Sequence, residues 1–298
     1  MRILVTGGSG FIGRHVVAAL QDEGHEVAVV DRVPFSGPGV RAVTGELEDP
    51  AVRDEAVAAG TDAVVHLAAE TSVLGSMERP ALVHRVNVEV TAALLELSRE
   101  RGVGAFVLAS TNAVVGSFEG TFTEDVPLAP LTPYGATKAA GEMLLSGYSG
   151  AYGVRTPALR LTNVYGPGMR HKDSFIPRLM RAAADHGSVQ VYGDGLQRRD
   201  LVHVHDVARA FVAAATSWPS GPVIIGSGIS HTVLDLVDAA REATGAPIPF
   251  EHVPGKPGEM PAVVVDIGRA RARGFEPSIS LLEGVRMAWA DFAPSTAS

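Results

Sequence analysis

A tyrosine and a lysine stand four residues apart in Tyr134-Gly-Ala-Thr-Lys138, a spacing that can support proton transfer. On a helix, side chains four residues apart lie on one face, one turn apart. The lysine ammonium is expected to lower the pKa of the phenol, about 10 when unperturbed, so that the tyrosine serves as a base near neutral pH. The alternative is a surface helix with a solvated lysine and a half-buried tyrosine. The chain has five tyrosines and three lysines, so a chance pairing would be rare.

The N-terminus runs from a short apolar strand, Ile3 to Val5, into a glycine-rich turn and then into a helical pattern. Gly8, Gly10 and Gly13 satisfy the dinucleotide-binding fingerprint, and Gly7, Gly10 and Gly13 satisfy a shifted version of it. In either frame glycine permits the tight turn, lets the backbone approach a pyrophosphate and allows close packing of helix on strand. The N-terminus of the helix offers unpaired N–H groups and a positive dipole end to phosphates.

An acid, Asp31, ends the next apolar run, Glu26 to Val30. A carboxylate at this place in the fingerprint accepts hydrogen bonds from the adenosine ribose hydroxyls and repels a 2′-phosphate, which favours NAD over NADP. Arg32 is a competing signal, because a guanidinium there could hold that phosphate. The alternative is that Asp31 is an ordinary turn residue.

Composition indicates an ordinary soluble globule: 46% of the 298 residues are hydrophobic and 19% are charged. The length fits one large or two modest domains. The chain has no cysteine, which excludes disulfides and thiolate metal sites. The formal charge of −8 argues against a nucleic-acid surface. An anionic substrate must therefore be held by local basic groups.

No targeting or membrane segment is expected. The first predicted strand begins at residue 2, which leaves no room for a signal peptide, and the apolar runs are too short to span a bilayer. We therefore expect a cytoplasmic protein with no membrane partner.

The elements that must position these residues alternate between strand and helix, which is typical of a parallel sheet covered on both faces. The predicted strands are Arg2–Val5, Glu26–Val30, Ala42–Thr44, Ala63–His66, Ala105–Ser110 and Pro157–Leu161, and the predicted helical segments are 11–23, 50–59, 80–101 and 134–152. The apolar stripe of segment 80–101 is either sheet-facing core or partly a dimer face. After about residue 163 the chain becomes rich in proline and glycine, with shorter elements.

The predicted fold class is α/β, a doubly wound parallel-sheet Rossmann domain with a smaller C-terminal substrate-binding domain. Residues 1–163 are assigned to the NAD-binding domain, with a return segment near 200–227, and residues 164–298 mainly to the substrate-binding region.

Further motifs lie along the chain: Val64-Val-His-Leu-Ala-Ala69, Asn87-Val88, Ala109-Ser-Thr-Asn-Ala-Val-Val-Gly116, Arg160-Leu-Thr-Asn-Val-Tyr-Gly-Pro167 and Gly193-Asp-Gly-Leu-Gln-Arg-Arg-Asp-Leu-Val-His-Val-His-Asp206. With these motifs nearly the whole chain resembles the extended short-chain dehydrogenase/reductase family. Within that family it is most similar to the nucleotide-sugar epimerase and dehydratase group, and there to the UDP-glucose (galactose) 4-epimerases.

The resemblance implies roles for three catalytic residues. Tyr134 is expected to act as base and acid on a substrate hydroxyl, while Lys138 lowers its pKa and holds the nicotinamide ribose. Thr111 is expected to hydrogen-bond the same sugar oxygen. Ser110 competes for that last role, although counting back from Gly116 favours Thr111.

The resemblance also implies NAD as cofactor and a nucleotide-diphosphate sugar, most of all a UDP-sugar, as substrate, in an expected homodimer. The implied cofactor-binding residues are Gly7, Gly10, Phe11, Ile12, Gly13, Asp31, Arg32, Glu46, Leu47, Leu67, Ala68, Ala69, Asn87, Tyr134 and Lys138. The implied substrate-binding residues are Thr71, Thr111, Asn163, Ser174, Phe175, Gln190, Tyr192, Arg199 and Lys256. Lys256 stands where relatives usually carry arginine, so it offers a point charge without the bidentate fork. Surface solvation is the alternative for Arg199 and Lys256.

His203 and His205 alternate on one predicted strand and raise the question of a metal pair. A third ligand at useful spacing is missing, so packing or polar satisfaction is preferred, and no metal is expected.

The residues after Thr111 discriminate between reactions. Dehydratases of the family need an acid pair there and decarboxylases a glutamate, whereas this chain has Asn112 and Ala113, which do not titrate. A 4-epimerase that passes through a transient 4-keto sugar is therefore favoured. Val115 and Thr71 replace a usual tyrosine and, in galactose-type epimerases, a usual lysine, which predicts an atypical sugar pocket. The alternatives are a reductase or dehydrogenase of a nucleotide-linked keto sugar, and a non-catalytic NAD(H)-binding protein.

Overall fold

The computed structural model describes residues 1–255 and 263–293. Its strands are β1 (Arg2–Thr6), β2 (Glu26–Asp31), β3 (Arg41–Thr44), β4 (Ala63–His66), β5 (Ala105–Thr111), β6 (Thr121–Phe122), β7 (Pro157–Leu161), β8 (Asn163–Tyr165), β9 (Val189–Tyr192), β10 (Arg198–His203), β11 (Gly221–Ile225), β12 (Ser230–Thr232), β13 (Phe250–Val253) and β14 (Val264–Val265). Its α-helices are α1 (Phe11–Asp22), α2 (Pro50–Ala56), α3 (Val73–Glu78), α4 (Pro80–His84), α5 (Val90–Glu100), α6 (Pro133–Tyr152), α7 (Phe175–Ala184), α8 (Val204–Thr216), α9 (Val233–Thr244), α10 (Gly268–Ala272) and α11 (Leu281–Trp289).

Seven parallel strands form the central sheet, in the spatial order β11-β7-β5-β4-β1-β2-β3. The first strand lies inside the sheet, and its neighbours β2 and β4 lie on opposite sides of it. The chain therefore reverses its direction of progress across the sheet at β1. In open α/β sheets, ligands bind at the carboxyl ends of the strands beside such a reversal.

The apolar residues of the strands alternate between two cores, one on each face of the sheet. Ile3 and Val5 of β1 belong to the core covered by α1 and α8, and Leu4 belongs to the opposite core. Helices α5 and α6 contribute Leu94 and Leu145 to that second core. The predicted doubly wound α/β fold is confirmed.

A third core lies in the C-terminal part of the chain and includes Leu179 and Met180 of α7, Leu236 of α9 and Val285 of α11. Short strands surround it: β10 pairs in parallel with β8 and antiparallel with β12, and β13 pairs with β9. The division at residue 163 stays a prediction.

All six predicted strands are present, each with bounds within one residue of those expected. Two helical segments differ. The segment 50–59 ends at Ala56, because the chain turns toward Gly60, whose φ of +80° suits glycine. The segment 80–101 is divided by a π-helical turn, Arg85–Glu89. Over residues 1–255 and 263–293, no helix combines the length and apolarity needed to cross a membrane.

Candidate active site

A cavity of about 1130 Å³ lies at the carboxyl edge of the central sheet, between the sheet and the C-terminal part of the chain. It brings together the catalytic candidates Thr111, Tyr134 and Lys138. The cofactor candidates that line it are Gly7, Gly10, Phe11, Ile12, Gly13, Asp31, Arg32, Glu46, Leu47, Leu67, Ala68 and Ala69, and the substrate candidates are Thr71, Asn163, Ser174, Phe175, Gln190, Tyr192 and Arg199. Their contacts with a bound molecule stay predictions.

The backbone of the glycine-rich turn after β1 is packed so closely that side chains at Gly7 and Gly13 would collide with neighbouring backbone atoms. Gly7 has a φ of +71°, a conformation that favours glycine. A Cβ atom at Gly13 would lie 2.2 Å from the Gly7 carbonyl oxygen. Gly10 caps α1, and Phe11 and Ile12 of its first turn line the cavity. The turn therefore offers backbone amides and a helix N-terminus at close range, which fits the diphosphate of NAD.

Asp31 faces this turn from the end of β2. One carboxylate oxygen accepts the N–H of Ser9 at 3.0 Å, and the other accepts the N–H of Val33 at 2.9 Å. The carboxylate both orders the two loops and lines the cavity. This position fits the ribose of the adenosine half of the cofactor.

Helix α6 carries the proposed base and its lysine into the cavity. The Thr132 hydroxyl caps the helix by accepting the N–H of Gly135 at 3.2 Å, and Pro133 occupies the first turn. Tyr134 therefore stands at the beginning of the helix, where its phenol lines the cavity. Lys138 follows one turn later on the same face and is 4% exposed.

The electrostatics of this pair differ from the prediction. Burial raises the pKa of Tyr134, and a hydrogen bond between its phenol and the Thr111 hydroxyl opposes the rise, because it favours the phenolate. Burial also lowers the pKa of Lys138 from 10.5 to about 8. The direction is opposite to the expected lowering by Lys138, because burial has the largest effect on the pKa of each of the two groups.

The structure separates the roles of Thr111 and Ser110. The Thr111 side chain meets Tyr134, whereas the Ser110 hydroxyl donates to the carboxylate of Glu142. Glu142 lies one turn beyond Lys138 and is 5% exposed. Both residues line the cavity, but the Ser110 hydroxyl is engaged by Glu142, so the arrangement favours Thr111 for contact with the substrate, as the sequence predicted.

Glu142 forms a buried ion pair with Arg160 of β7. The Arg160 Nε donates to the carboxylate at 3.0 Å and a terminal guanidinium nitrogen donates at 2.8 Å, with both side chains 4% exposed. Arg160 also donates to the Glu124 carbonyl at 3.2 Å. This pair ties α6 to β5 and β7 directly behind the catalytic face. Sequence reasoning missed Glu142, although its four-residue spacing from Lys138 was a signal.

His66 at the end of β4 is a buried neutral histidine with a determined tautomer. The Thr91 hydroxyl donates to the Asn87 carbonyl at 2.7 Å, so toward His66 Nε2, 3.0 Å away, it acts as acceptor. The Nδ1 of His66 then accepts from the Thr6 hydroxyl at 2.7 Å. Burial, aided by the charge of Lys138, lowers the pKa of His66 to about 3.

Asn87 was predicted to bind the cofactor but does not line the cavity. Asn87 lies behind the cavity wall and is 3% exposed, and its carboxamide is hydrogen-bonded to the backbone of Glu70 and to Thr137. The carboxamide of Asn87 is therefore not placed to contact a cofactor directly. It supports the backbone of Glu70, in the loop after β4 that lines the cavity. Lys256 lies outside the described residues.

The C-terminal part of the cavity contains basic residues that sequence reasoning missed. Lys172 and Arg178 line it together with the predicted Arg199. The Arg178 guanidinium carbon lies 6.0 Å from the centroid of the Phe175 ring, three residues earlier on α7. That i, i+3 spacing beside a predicted substrate residue was the available signal.

Charge is divided across the cavity. Carboxylates of Asp31, Glu46, Glu48 and Glu70 come from the loops after β2, β3 and β4, Arg14 and Arg32 also line the cavity, and the cations Lys172, Arg178 and Arg199 come from the C-terminal part of the chain. In a chain with a net charge of −8, these cations provide the local attraction that an anionic diphosphate needs.

His203 and His205 pack with His15 into a ring cluster, with centroids 4.8 Å apart for the first pair and 5.0 Å for His15 and His205. Burial lowers the pKa of His203 to about 4, and its Nδ1 accepts the N–H of His205. Across residues 1–255 and 263–293, no group of three or more histidine, aspartate or glutamate side chains is arranged so that it could hold a metal ion.

Known proteins are similar to this chain in both sequence and architecture. Residues 3–226 match the NAD dependent epimerase/dehydratase family. A dTDP-glucose 4,6-dehydratase from Streptomyces niveus is 36% identical, over 96% of this chain and 90% of its own length.

Solved structures agree. UDP-glucose 4-epimerase from Thermus thermophilus, in complex with NAD, superposes with a TM-score of 0.89 at 33% identity, covering 98% of this chain and 99% of its own. UDP-glucose 4-epimerase from Thermotoga maritima, with UDP-glucose, gives a TM-score of 0.92 at 32% identity, covering 98% of each chain. With its glycine-rich turn, its Asp31 and its Tyr134–Lys138 helix on the same cavity, this chain belongs to the NAD dependent epimerase/dehydratase family.

Proposed function

We propose that the protein is an NAD-dependent nucleotide-sugar epimerase that inverts the configuration at C4 through a transient 4-keto sugar. The observation that carries this proposal is a Thr111, Tyr134 and Lys138 set on the cofactor cavity, followed in sequence by Asn112 and Ala113. The first three groups suffice for oxidation and reduction at one carbon, and the last two supply no acid or base for elimination.

NAD, when held by the glycine-rich turn and Asp31, would supply the hydride acceptor and donor for oxidation and reduction at C4, and inversion would require the flat 4-keto sugar to turn its other face toward the cofactor before reduction. Tyr134 takes the proton of the C4 hydroxyl and later gives it back to the keto oxygen. The Thr111 hydroxyl, already hydrogen-bonded to the phenol, steadies the developing negative charge on that oxygen. Lys138 lies one turn from Tyr134 on the same face of α6, and its pKa of about 8 makes its protonated state available at neutral pH.

The dehydratase relatives raise elimination as a competing chemistry. Loss of water from the 4-keto sugar needs an acid at the leaving hydroxyl and a base at C5. The carboxamide of Asn112 and the methyl of Ala113 can be neither. A ketoreductase remains the second candidate, because Tyr134, Thr111 and Lys138 would serve it equally well.

The proposed substrate is a UDP-sugar, with UDP-glucose and UDP-galactose as the first pair to test, since the Thermotoga maritima relative was solved with UDP-glucose. Asn163, Arg199 and Lys256 are proposed to hold the diphosphate, and Phe175 with Tyr192 the nucleoside. The missed cations Lys172 and Arg178 line the same wall. The cavity, at about 1130 Å³, is large enough to hold NAD and a nucleotide sugar side by side.

The deciding experiment is to incubate the purified protein with UDP-glucose, UDP-galactose, dTDP-glucose and GDP-mannose, without added cofactor, and to separate the products by chromatography with mass detection. We expect one pair of C4 epimers of equal mass and no solvent deuterium at C5. A product lighter by one water would overturn the epimerase proposal. A parallel incubation with added NADH or NADPH tests the second candidate, and its stoichiometric consumption would establish the reductase.

The base is tested by Tyr134→Phe, which removes the phenol oxygen and keeps the ring. We expect kcat to fall by about 10²- to 10⁴-fold while NAD binding is largely unchanged. Tyr152→Phe, an exposed position on the same helix, is the matched control and should leave kcat unchanged. Near-normal turnover of the Tyr134 variant would remove this residue from the mechanism.

We also propose a homodimer. Helix α3 exposes Leu74 and Met77 beside α6, which exposes Met143. Neighbouring exposed apolar side chains are typical of a protein–protein surface. Sedimentation equilibrium should give twice the chain mass, with Met143→Glu weakening association and Leu196→Glu, an exposed position in another part of the chain, serving as control. A monomer at all concentrations would contradict the proposal.

A cytoplasmic location is proposed from the need for NAD and a nucleotide sugar in the same compartment. Fractionation of the source cells should recover the protein with cytosolic markers, and recovery with membranes or culture fluid would contradict it.

A further inference from the structure

Arg32, the residue that competes with Asp31 in the sequence, is occupied by another carboxylate. Its guanidinium lies 3.3 Å from the carboxylate of Glu70, with the Arg32 side chain 61% exposed and that of Glu70 20% exposed. Arg32 follows β2 and Glu70 follows β4, the two strands that flank β1. The ion pair therefore joins the loops on either side of the glycine-rich turn, and both residues line the cavity.

The backbone of Glu70 is fixed by a buried amide. The Glu70 N–H donates to Asn87 Oδ1 at 2.9 Å, and Asn87 Nδ2 donates to the Glu70 carbonyl at 3.0 Å. The same Nδ2 lies 3.1 Å from the Thr137 hydroxyl on α6. Asn87 belongs to the π-helical turn, a local distortion often found at functional sites. Its buried side chain thus sets where Glu70 stands.

The other half of the pair is fixed in the same manner. Arg32 directly follows Asp31, whose carboxylate accepts two backbone N–H groups across the turn. The backbones of both loops are therefore held by hydrogen bonds close to the ion pair, which places the Arg32 and Glu70 side chains within reach of each other.

We propose that Glu70 is a cofactor-specificity residue: its carboxylate holds Arg32 and so withholds the guanidinium from the 2′-phosphate of NADP. A phosphate competes for arginine through bidentate, charge-assisted hydrogen bonds. Here it would have to displace one carboxylate while approaching a second, that of Asp31. NAD, which carries a hydroxyl at this position, meets neither obstacle. Asn87 acts as a positioning residue in this arrangement.

This inference rests on the NAD site of the proposed function but not on any reaction at C4. It is therefore tested by binding alone. NAD⁺ and NADP⁺ are titrated calorimetrically into protein freed of bound nucleotide with charcoal, for the wild type and for Glu70→Gln, which keeps the shape and removes the charge. We expect the preference for NAD⁺ over NADP⁺ to fall about five- to tenfold, chiefly through tighter NADP⁺ binding.

Three controls make the result specific. Glu48→Gln neutralises another carboxylate of the same cavity and should leave the preference unchanged. Glu70→Asp keeps the charge and should remain close to the wild type. Glu70→Gln combined with Arg32→Ala should lose the gain in NADP⁺ affinity, because the freed guanidinium is what binds the phosphate.

The proposal is overturned if Glu70→Gln leaves the preference unchanged, if it weakens both cofactors equally, or if the gain persists without Arg32. Melting curves show whether each variant is folded. If Glu70→Gln does not fold, the same titrations are made with Glu70→Ala. Failure of the wild type to bind NAD⁺ would overturn the cofactor site and this proposal with it, whereas normal binding with no epimerase activity would affect the proposed function alone.

Discussion

Replacing Glu142 by glutamine should show how much the buried ion pair behind the catalytic helix contributes to stability. The change preserves the shape of the side chain and removes its charge, which leaves the Arg160 guanidinium buried beside a neutral amide. Both side chains of the pair are 4% exposed, and the shortest nitrogen–oxygen distance is 2.8 Å. Breaking one side of such a pair typically costs about 3–5 kcal/mol. Since the amide oxygen can still accept one hydrogen bond, we expect about 3 kcal/mol.

The matched control is Glu242→Gln. Its carboxylate lies 3.2 Å from Arg286, with the two side chains 63% and 55% exposed, so the same chemical change should cost less than about 1 kcal/mol. Equilibrium urea denaturation, followed by tryptophan fluorescence, gives each free energy of unfolding from the midpoint and slope.

A further variant separates loss of charge from loss of packing. Glu142→Met with Arg160→Met removes both charges together and should recover most of the stability lost in the single variant. Equal destabilisation by the two glutamine substitutions would refute the reasoning, because it would mean that burial does not set the strength of the pair. A double variant no more stable than Glu142→Gln would assign the effect to packing instead.

Three other outcomes are expected. Gly13→Ala should abolish most NAD binding in a calorimetric titration, because its Cβ would meet the Gly7 oxygen at 2.2 Å, whereas retained affinity would show that the turn can relax. Burial lowers the pKa of His203 to about 4, against about 6.5 in the unfolded chain, so the unfolded chain binds this proton first. His203 therefore contributes about 3 kcal/mol to a loss of stability between pH 6.5 and pH 4, to which His66, with a pKa of about 3, adds. His203→Asn, whose oxygen can still accept the His205 N–H, should flatten that fall in urea titrations over this pH range, and an unchanged slope would exclude His203 as its source. In the wild type NAD⁺ should bind at least about tenfold tighter than NADP⁺, with Asp31→Ala narrowing the gap; equal wild-type affinities would remove Asp31 from control of the choice.

The parts of the site that could be predicted from sequence are those whose geometry is local. The glycine spacing predicts a tight turn into α1, and the four-residue spacing of Tyr134 and Lys138 places both on one face of α6. Likewise the apolar runs of the central strands are nearly continuous, as expected for strands buried on both faces. These inferences need no knowledge of what lies across the fold.

The parts that could not be predicted depend on contacts between distant segments. The partner of Arg32, Glu70, lies in the loop after β4, a strand two places from β2 in the sheet, and nothing in the sequence around Arg32 indicates it. The pKa of Tyr134 depends on burial by several elements, so spacing from Lys138 alone gave the wrong direction. Asn87 was predicted to bind the cofactor, but it does not line the cavity, and its place in a π-helical turn is not visible in the periodicity of the sequence.

Helix α1 packs against α8, which is synthesised much later, so the apolar face of α1 stays uncovered during most of translation. The helix made first buries Val16, Val17 and Leu20, and the helix that covers this face ends at Thr216. The edge of β7 is likewise closed by β11, which ends at Ile225. A nascent chain that has only passed β7 therefore carries an uncovered apolar helix and an unpaired strand edge, both of which favour aggregation. We therefore expect fragments that end before residue 225 to be insoluble when expressed alone.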